Sequence, residues 1–493
     1  MDMFVAGVAL LLDYQVILAL LIGAIGGVII GAIPGVGPAV AIAILLPATF
    51  SLPPLVGLVV LLGIYGSSMY GGSLPAILIN TPGTAVNALT TYDGYPMTQR
   101  GESLKALGLA YGASFFAGVL SIICLILFAP LLAKVAPLFG SKEIFLAALL
   151  GLVLVVLSHR GQMLAAGMLV GFGAFIGTVG LEPARFTQRY TFEQEWLASG
   201  FDLIVVVLGL FALSQAFLLL TQPEGAPAPT RVQGSIKSAM MRVFRHKRLA
   251  SVGTGFGVLM GMLPGVGEFT AQFLSYSYAQ KTSKSPEAFG NGSEEGLVAS
   301  ESANNAVPAA AMIPLLALGI PGEALTAMML SVFYVHSVIP GPQLFQNQLD
   351  FVYALYIAMI LLNVIVVAFV LMSSNLLLKI IRIPTRFLGI TILTLSFVGV
   401  YSLRNSIVDC AIAAAFGWFG MILKRLDLPA VPIILGMVLG GIMETKFRPA
   451  MARVSDFADF FQRPIAAFLG CVILALLIGQ IVSLLKSRKT TSD

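Results

Sequence analysis

The sequence predicts an all-α polytopic membrane protein of about 10–12 transmembrane helices. They form two inverted repeats with broken helices or re-entrant hairpins, plus an unpaired C-terminal helix. Three observations carry this. Of 493 residues, 58% are hydrophobic and 10% charged, whereas a soluble domain carries roughly a quarter charged residues. Gly31-Ala-Ile-Pro-Gly-Val-Gly37 returns 230 positions later as Gly261-Met-Leu-Pro-Gly-Val-Gly267, and Pro75-Ala-Ile-Leu-Ile-Asn-Thr-Pro-Gly-Thr-Ala85 is echoed at an offset of 239 by Pro314-Leu-Leu-Ala-Leu-Gly-Ile-Pro-Gly-Glu-Ala324. Finally, Lys and Arg are spread over the loops, on balance, in the way opposed halves require, although Lys134, Lys142, Arg185, Arg189 and the Lys446–Arg453 group fall outside.

Each echo sets a Pro-Gly pair inside apolar sequence. Proline lacks the N–H and blocks the preceding turn, while glycine accepts φ > 0, so each half breaks its helices twice. Residues 14–92 contain no Asp, Glu, Lys or Arg. Within them we expect a helix over 14–33, a break at Pro34–Pro38, an apolar piece from 39 to 50, and a helix from 54 to Tyr70. The Gly71-Gly-Ser73 turn then leads to a hairpin bent at Asn80-Thr-Pro-Gly-Thr84. Helices over 104–129, 143–158, 162–179 and 201–220 complete the first half. The second half repeats the pattern from 249, with later helices over 351–378, 386–402, 406–423 and 429–443. The last, 463–485, has no partner in the first half. Domain boundaries follow: 1–221 as first membrane repeat, 222–248 as basic cytoplasmic linker, 249–445 as second repeat, and 446–493 as extra helix and tail.

The linker holds Arg231, Lys237, Arg242, Arg245, Lys247 and Arg248 against Glu224. A basic loop between membrane helices is ordinarily cytoplasmic rather than a nucleic-acid site. With the linker and C-terminus inside, the Arg100/Lys105 loop falls inside too. Its repeat equivalent, His336 to Asp350, contains no Lys or Arg and falls outside. Equivalent loops on opposite faces are what inversion demands. The N-terminus is then periplasmic, and its first apolar run, without a basic flank, reads as a retained helix.

A helix restarted after Pro-Gly leaves backbone N–H groups and a partial positive charge at its first turn. Four such starts follow Pro34, Pro82, Pro264 and Pro321, with Thr81 placed as an N-cap and Pro38 at a first helical position. Converging near mid-membrane, they would make an anion site without Lys or Arg. The alternative is that these residues are packing kinks. The substrate-site candidates are Gly35, Gly37, Ser73, Asn80, Thr81, Gly83 and Thr84 in one half, with Gly265, Gly267, Ser302, Asn304, Asn305 and Gly322 in the other. Ser67 and Ser68 serve equally well as interhelical contacts. Glu268, Glu301 and Glu323 lie at the second-half breaks. An intramembrane carboxylate near an anion site points to Na⁺ or H⁺ coupling; at water level the same residues would be helix N-terminal acids. Cys124, Cys410 and Cys471 have no metal or disulfide spacing, and His159, His246 and His336 fall in or beside loops. No Gly-Lys dipeptide or His-Glu-x-x-His exists, so neither a phosphate loop nor a zinc protease is encoded, and no cofactor or enzymatic role is expected.

The repeated Gly-x-x-Pro-Gly-Val-Gly, Asn80-Thr-Pro-Gly-Thr84, Tyr92-Asp-Gly-Tyr-Pro-Met97, Glu301-Ser-Ala-Asn-Asn-Ala306, Gly319-Ile-Pro-Gly322 and Pro340-Gly-Pro342 resemble the large membrane subunit of the bacterial tripartite tricarboxylate transporters over essentially the whole chain. The resemblance implies uptake of a carboxylate across the bacterial inner membrane, driven by a cation gradient. It also implies a small membrane subunit and a periplasmic solute-binding protein as partners. A scaffold subunit, with the conducting path in a partner, is the alternative.

Overall fold

The computed structural model describes residues 2–33, 36–159, 161–182, 187–221, 236–380, 384–452 and 460–490. Pro34, the candidate Gly35 and the linker residues 222–235 lie outside the described residues. Before the linker run α1 (Asp2–Leu11), α2 (Tyr14–Gly31), α3 (Gly37–Thr49), α4 (Pro54–Ile79), α5 (Ala88–Gln99), α6 (Ser103–Val135), α7 (Ser141–Ser158), α8 (Met163–Gly177) and the single turn α9 (Glu195–Ala198). Then α10 (Leu203–Val207) passes through a π-helical stretch, Leu208–Leu213, into α11 (Ser214–Thr221). After it come α12 (Ile236–Met240), α13 (Lys247–Met262), α14 (Gly267–Thr282), α15 (Glu294–Leu318), α16 (Ala324–Val335) and α17 (Pro342–Asn347). The chain ends with α18 (Leu349–Ile380), α19 (Thr385–Arg404), α20 (Ile407–Arg425), α21 (Val431–Met451) and α22 (Pro464–Thr490). One short antiparallel pair, Gly180–Leu181 with Gln188–Arg189, is the β-structure among the described residues. Among these residues eight helices are long and apolar enough to cross a bilayer, and shorter apolar helices accompany them. The protein is all-α and polytopic.

Local chemistry sets the ends. Asp13 caps α2 by accepting the Gln15 N–H at 2.9 Å, and Ser293 caps α15 through the Gly296 N–H at 3.1 Å. Asn80 and Gly319, equivalent in the repeat, both end their helices in the left-handed conformation, at φ 56° and 70°. Asparagine and glycine tolerate that conformation best. One expectation fails: the Gly71-Gly-Ser73 turn is absent, because α4 runs unbroken through it. Two adjacent glycines lower helix propensity, but here they admit neighbours. A Cβ on Gly71 would stand 2.2 Å from Val28 O, and one on Gly72 would stand 2.1 Å from Asn87 Oδ1.

The duplication is visible atom by atom. Cβ atoms placed on Gly23, Gly27 and Gly31 of α2 would meet the carbonyls of Val60, Ile64 and Ser68 of α4. On α13, Gly253, Gly257 and Gly261 meet the carbonyls of Ala299, Ala303 and Val307 of α15, shifted by the same two offsets. Both pairs run parallel, held close by small residues every fourth position. Across the halves the direction reverses. Ser73 of α4 meets Glu301 of α15, whereas Gly66 and Leu62 share a cleft with Asn305 and Ala309. The equivalent helices α4 and α15 are therefore antiparallel, and the repeats are inverted.

Two compact units divide the chain, Met1–Lys134 with Asp202–Ala430, and Val135–Phe201 with Val431–Asp493. In the first, the π-helical stretch and α11 pack on α19 and α20. In the second, α21 packs on α7 and α8, and α22 lies along α7. Its ion pairs include Arg189–Glu444 at 2.6 Å and Arg463–Glu143 at 3.2 Å.

Several basic residues of the first unit gather around Glu294 and the loop before it. Glu294 receives Lys105 at 2.7 Å, Arg242 of the linker at 3.2 Å and His246 at 3.4 Å. Arg100 donates to the carbonyls of Asn291 and Gly292. Asp93 holds the same loop by accepting the N–H groups of Gly290, Gly292 and Ser293 at 2.7–2.9 Å. The contacts of His246, Lys105 and Arg242 pull the Glu294 carboxyl down to about 2, against a partial desolvation that opposes them. A folded-state value below the ordinary 4.5 means this stabilisation is complete above that pH and disappears as pH falls through about 2. Thermal melts should accordingly lose stability between pH 5 and 3 in the parent protein and less so in Glu294→Gln. Equal acid sensitivity would remove the cluster from the account.

Candidate functional site

Glu301 lies two turns into α15, with no solvent exposure. Hydroxyls from three other helices close on its carboxylate. Ser73 of α4 donates to Oε1 at 2.8 Å, Thr90 of α5 to Oε1 at 2.5 Å, and Ser114 of α6 to Oε2 at 3.1 Å. A second ring supports these. Asn87 Nδ2 donates to Ser73 Oγ at 3.1 Å, Thr84 donates to Asn87 Oδ1 at 2.5 Å, and Asn305 Nδ2 donates to Ser114 Oγ at 2.7 Å. No ion pair among the described residues includes Glu301. A buried carboxylate costs several kcal/mol without a counter-charge. Neutral donors offset part of that, and the arrangement leaves an anionic oxygen cage suited to a proton or a small cation.

Glu301 is not at a second-half break as expected: α15 runs unbroken through it, the first-half break adjoins it, and the second-half breaks pack about two to three turns further along the same helix. In the first half a Cβ on Gly83 would stand 2.2 Å from Gly31 O, and Gly37, at φ +55°, faces Thr84. In the second half Gly265 N–H donates to Gly322 O at 2.7 Å, and a Cβ on Gly322 would stand 2.7 Å from Gly261 O. The first pair of breaks packs beside Ser68 and Gly72 of α4, the second beside Val307 and Ala311 of α15. Because these helices are antiparallel, all four breaks fall in the middle of the α4/α15 pair. Next to them a cleft of about 50 Å³ lies between α4, α6, α15 and α18. Ser67, Tyr70, Ser121, Asn305 and Asn363 supply its polar lining, and Tyr70 donates to Asn363 across it.

Ser73, Thr84 and Asn305 thus join the Glu301 network, and Gly37, Gly83, Gly265 and Gly322 form the touching breaks. Gly267, at φ +69°, starts α14 with open space where a Cβ would be. Asn80 and Thr81 stand exposed at the tip of α4. Thr81 is not an N-cap, since its hydroxyl donates to Ile79 O at 3.3 Å and the next helical turn begins only at Ala85. The chain first doubles back beside Gly72 before it can restart. Ser302 donates to Val298 O at 2.6 Å and faces Gly253. Glu323, buried before α16, has Oε1 without a hydrogen-bond partner. The same holds for Glu268 Oε1 and for both amide atoms of Asn304. Ser67 binds Gly23 O at 3.1 Å, an interhelical contact. Thr90, Ser114 and Gln272 were not legible as site residues. A lone hydroxyl or amide in an apolar helix gives no pattern, and only packing tells which one meets a carboxylate.

The model of the tripartite tricarboxylate transporter TctA family matches residues 17–435. The chain belongs to this family. It is 36% identical over 463 residues to an uncharacterised 52.8 kDa protein of the TAR-I ttuC′ 3′ region of Agrobacterium vitis, covering 92% of each chain. A protein of the TAR-II ttuC′ 3′ region of the same organism is 37% identical over 227 residues, 45% of this chain and 94% of its own. No solved structure matches. As a TctA-family protein the chain is a multi-pass membrane subunit of a tripartite transporter. The family is one of transporters, not enzymes, and implies a small membrane subunit and a periplasmic binding protein as partners.

Proposed function

We propose that the chain is the permease subunit. It carries an organic carboxylate, a tricarboxylate or related anion, across the bacterial inner membrane together with Na⁺ or H⁺. The observation that carries this reading is Glu301, wholly buried and held by neutral hydroxyls beside the first-half break, on the helix against which the second-half breaks pack. An uncompensated carboxylate at mid-membrane is a place for a coupling ion. Helix starts at the adjoining breaks supply N–H dipoles for the anion in place of Lys and Arg. The broken segments move as a rigid body against the longer helices, alternating access. The basic cluster with Arg100, Lys105 and Arg242 faces the cytoplasm, which puts the N-terminus in the periplasm and the C-terminus inside.

The test is reconstitution. A ligand screen on the cognate binding protein identifies the carboxylate. Proteoliposomes holding this chain and the small subunit, supplied with loaded binding protein, should then accumulate it only under an inward cation gradient. Accumulation that persists after the gradient is collapsed, or that the small subunit supports alone, would overturn the proposal.

A further inference from the structure

A second polar group adjoins the Glu301 cage and makes no hydrogen bond to it. Gln272 of α14 is fully buried; its Nε2 donates to Val86 O, and its Oε1 has no hydrogen-bond partner. Asn304 of α15 is fully buried with both amide atoms unpartnered, and Glu268, 8% exposed, leaves Oε1 unpartnered. Buried polar atoms of this kind are costly, at roughly 1–3 kcal/mol each, and call for an explanation.

The helix geometry brings the three together. Ser275 donates to Ala299 O at 2.7 Å, and Ala271 packs with Ala303 and Val307, so α14 and α15 run antiparallel. In an antiparallel pair, the residue following each contact position projects to the same side. Those residues are Gln272 and Asn304, next to Ala271 and Ala303. That side carries Val86, as the Gln272 bond shows. Glu268, one turn before Gln272, shares its face of α14. Three unpartnered oxygens, one from a carboxylate and two from amides, are therefore set on one side of the α14/α15 pair, the side that carries Val86 of the first-half break.

We infer that Glu268, Gln272 and Asn304 form a binding site for a hard monovalent cation of the Na⁺ class, separate from the Glu301 cage. Hard cations take carboxylate and amide oxygens. The inference deepens the cation coupling proposed above and rests on it.

The test uses the full chain in detergent, melted with added NaCl, KCl or choline chloride at constant ionic strength. A ligand that binds only the folded state raises the melting temperature with its concentration. NaCl should stabilise the parent protein beyond KCl and choline chloride. Gln272→Leu and Asn304→Leu should raise the Na⁺ concentration for half the shift about tenfold or more. Asn304→Asp, which keeps the oxygen, should stay near the parent, and Glu301→Gln should leave a Na⁺-dependent shift. No Na⁺-specific shift in the parent, or an unchanged Na⁺ response in Gln272→Leu, would overturn the inference. Loss of the shift in Glu301→Gln alone would overturn it too, while leaving the permease reading intact. Failure of cation-driven uptake in the proteoliposomes is the separate result that would sink that reading.

Discussion

Replacing Glu301 by Gln is expected to abolish cation-driven uptake while leaving the protein inserted and folded. Gln keeps the volume and keeps one oxygen to accept the Ser73 and Thr90 hydroxyls. It removes the charge that a coupling ion would neutralise. A hydrogen bond to a charged group is worth roughly 1.5–3 kcal/mol, and each 1.4 kcal/mol is about tenfold in affinity. Loss of the charge itself should therefore lower uptake by about 100-fold or more. Thr90→Val, which removes one donor, should cost about tenfold, chiefly in the cation concentration needed for half-maximal rate. Proteoliposome uptake against cation concentration measures both. Wild-type rates with unchanged cation dependence in Glu301→Gln would make the cage a structural element.

The other large effect concerns stability. Adding one methyl group at Gly31 or Gly83 should unfold or misassemble the first half. The new Cβ would stand 2.1 Å from Ser68 O or 2.2 Å from Gly31 O, and the obstacles are backbone atoms that have no rotamer to escape into. Overpacking ordinarily costs about 1–3 kcal/mol; these substitutions should reach or exceed the top of that range. Gly322→Ala, at 2.7 Å from Gly261 O, should be milder. Gly26→Ala, with nothing within 4 Å, is the control and should be neutral or slightly stabilising. Melting temperatures in detergent rank the four. If Gly83→Ala melts with Gly26→Ala, the close approach of the two breaks is not what holds this region.

Much of this was written in the residue order. The apolar runs dictated helices because backbone groups in hydrocarbon must bond within their own segment. Pro-Gly pairs at two matched offsets located all the breaks and the duplication. Glycine spacing against partner carbonyls is the packing side of the same repeat. Glu301 stood out because a carboxylate in an apolar stretch is costly. The errors came where local propensity met tertiary demand. Gly71-Gly72 read as a turn, yet α4 continues because those glycines admit Val28 and Asn87. Thr81 read as a cap, yet the chain doubles back before the next helix begins.

Sequence by itself determined that the chain is helical, membrane-spanning, duplicated, and interrupted at four places. Those features depend on neighbours within a turn or two and on periodicity. The inversion read from the loop charges already implies that α4 and α15 are antiparallel; only the tertiary structure decided which stretches of them meet, and so which hydroxyls reach Glu301 and which amides are left with Glu268. Thr90, Ser114 and Gln272 lie 211, 187 and 186 positions from their hydrogen-bond partners Glu301, Glu301 and Val86. At such separations, contact depends on the packed arrangement of helices, because a single polar side chain carries no mark of the partner it will meet.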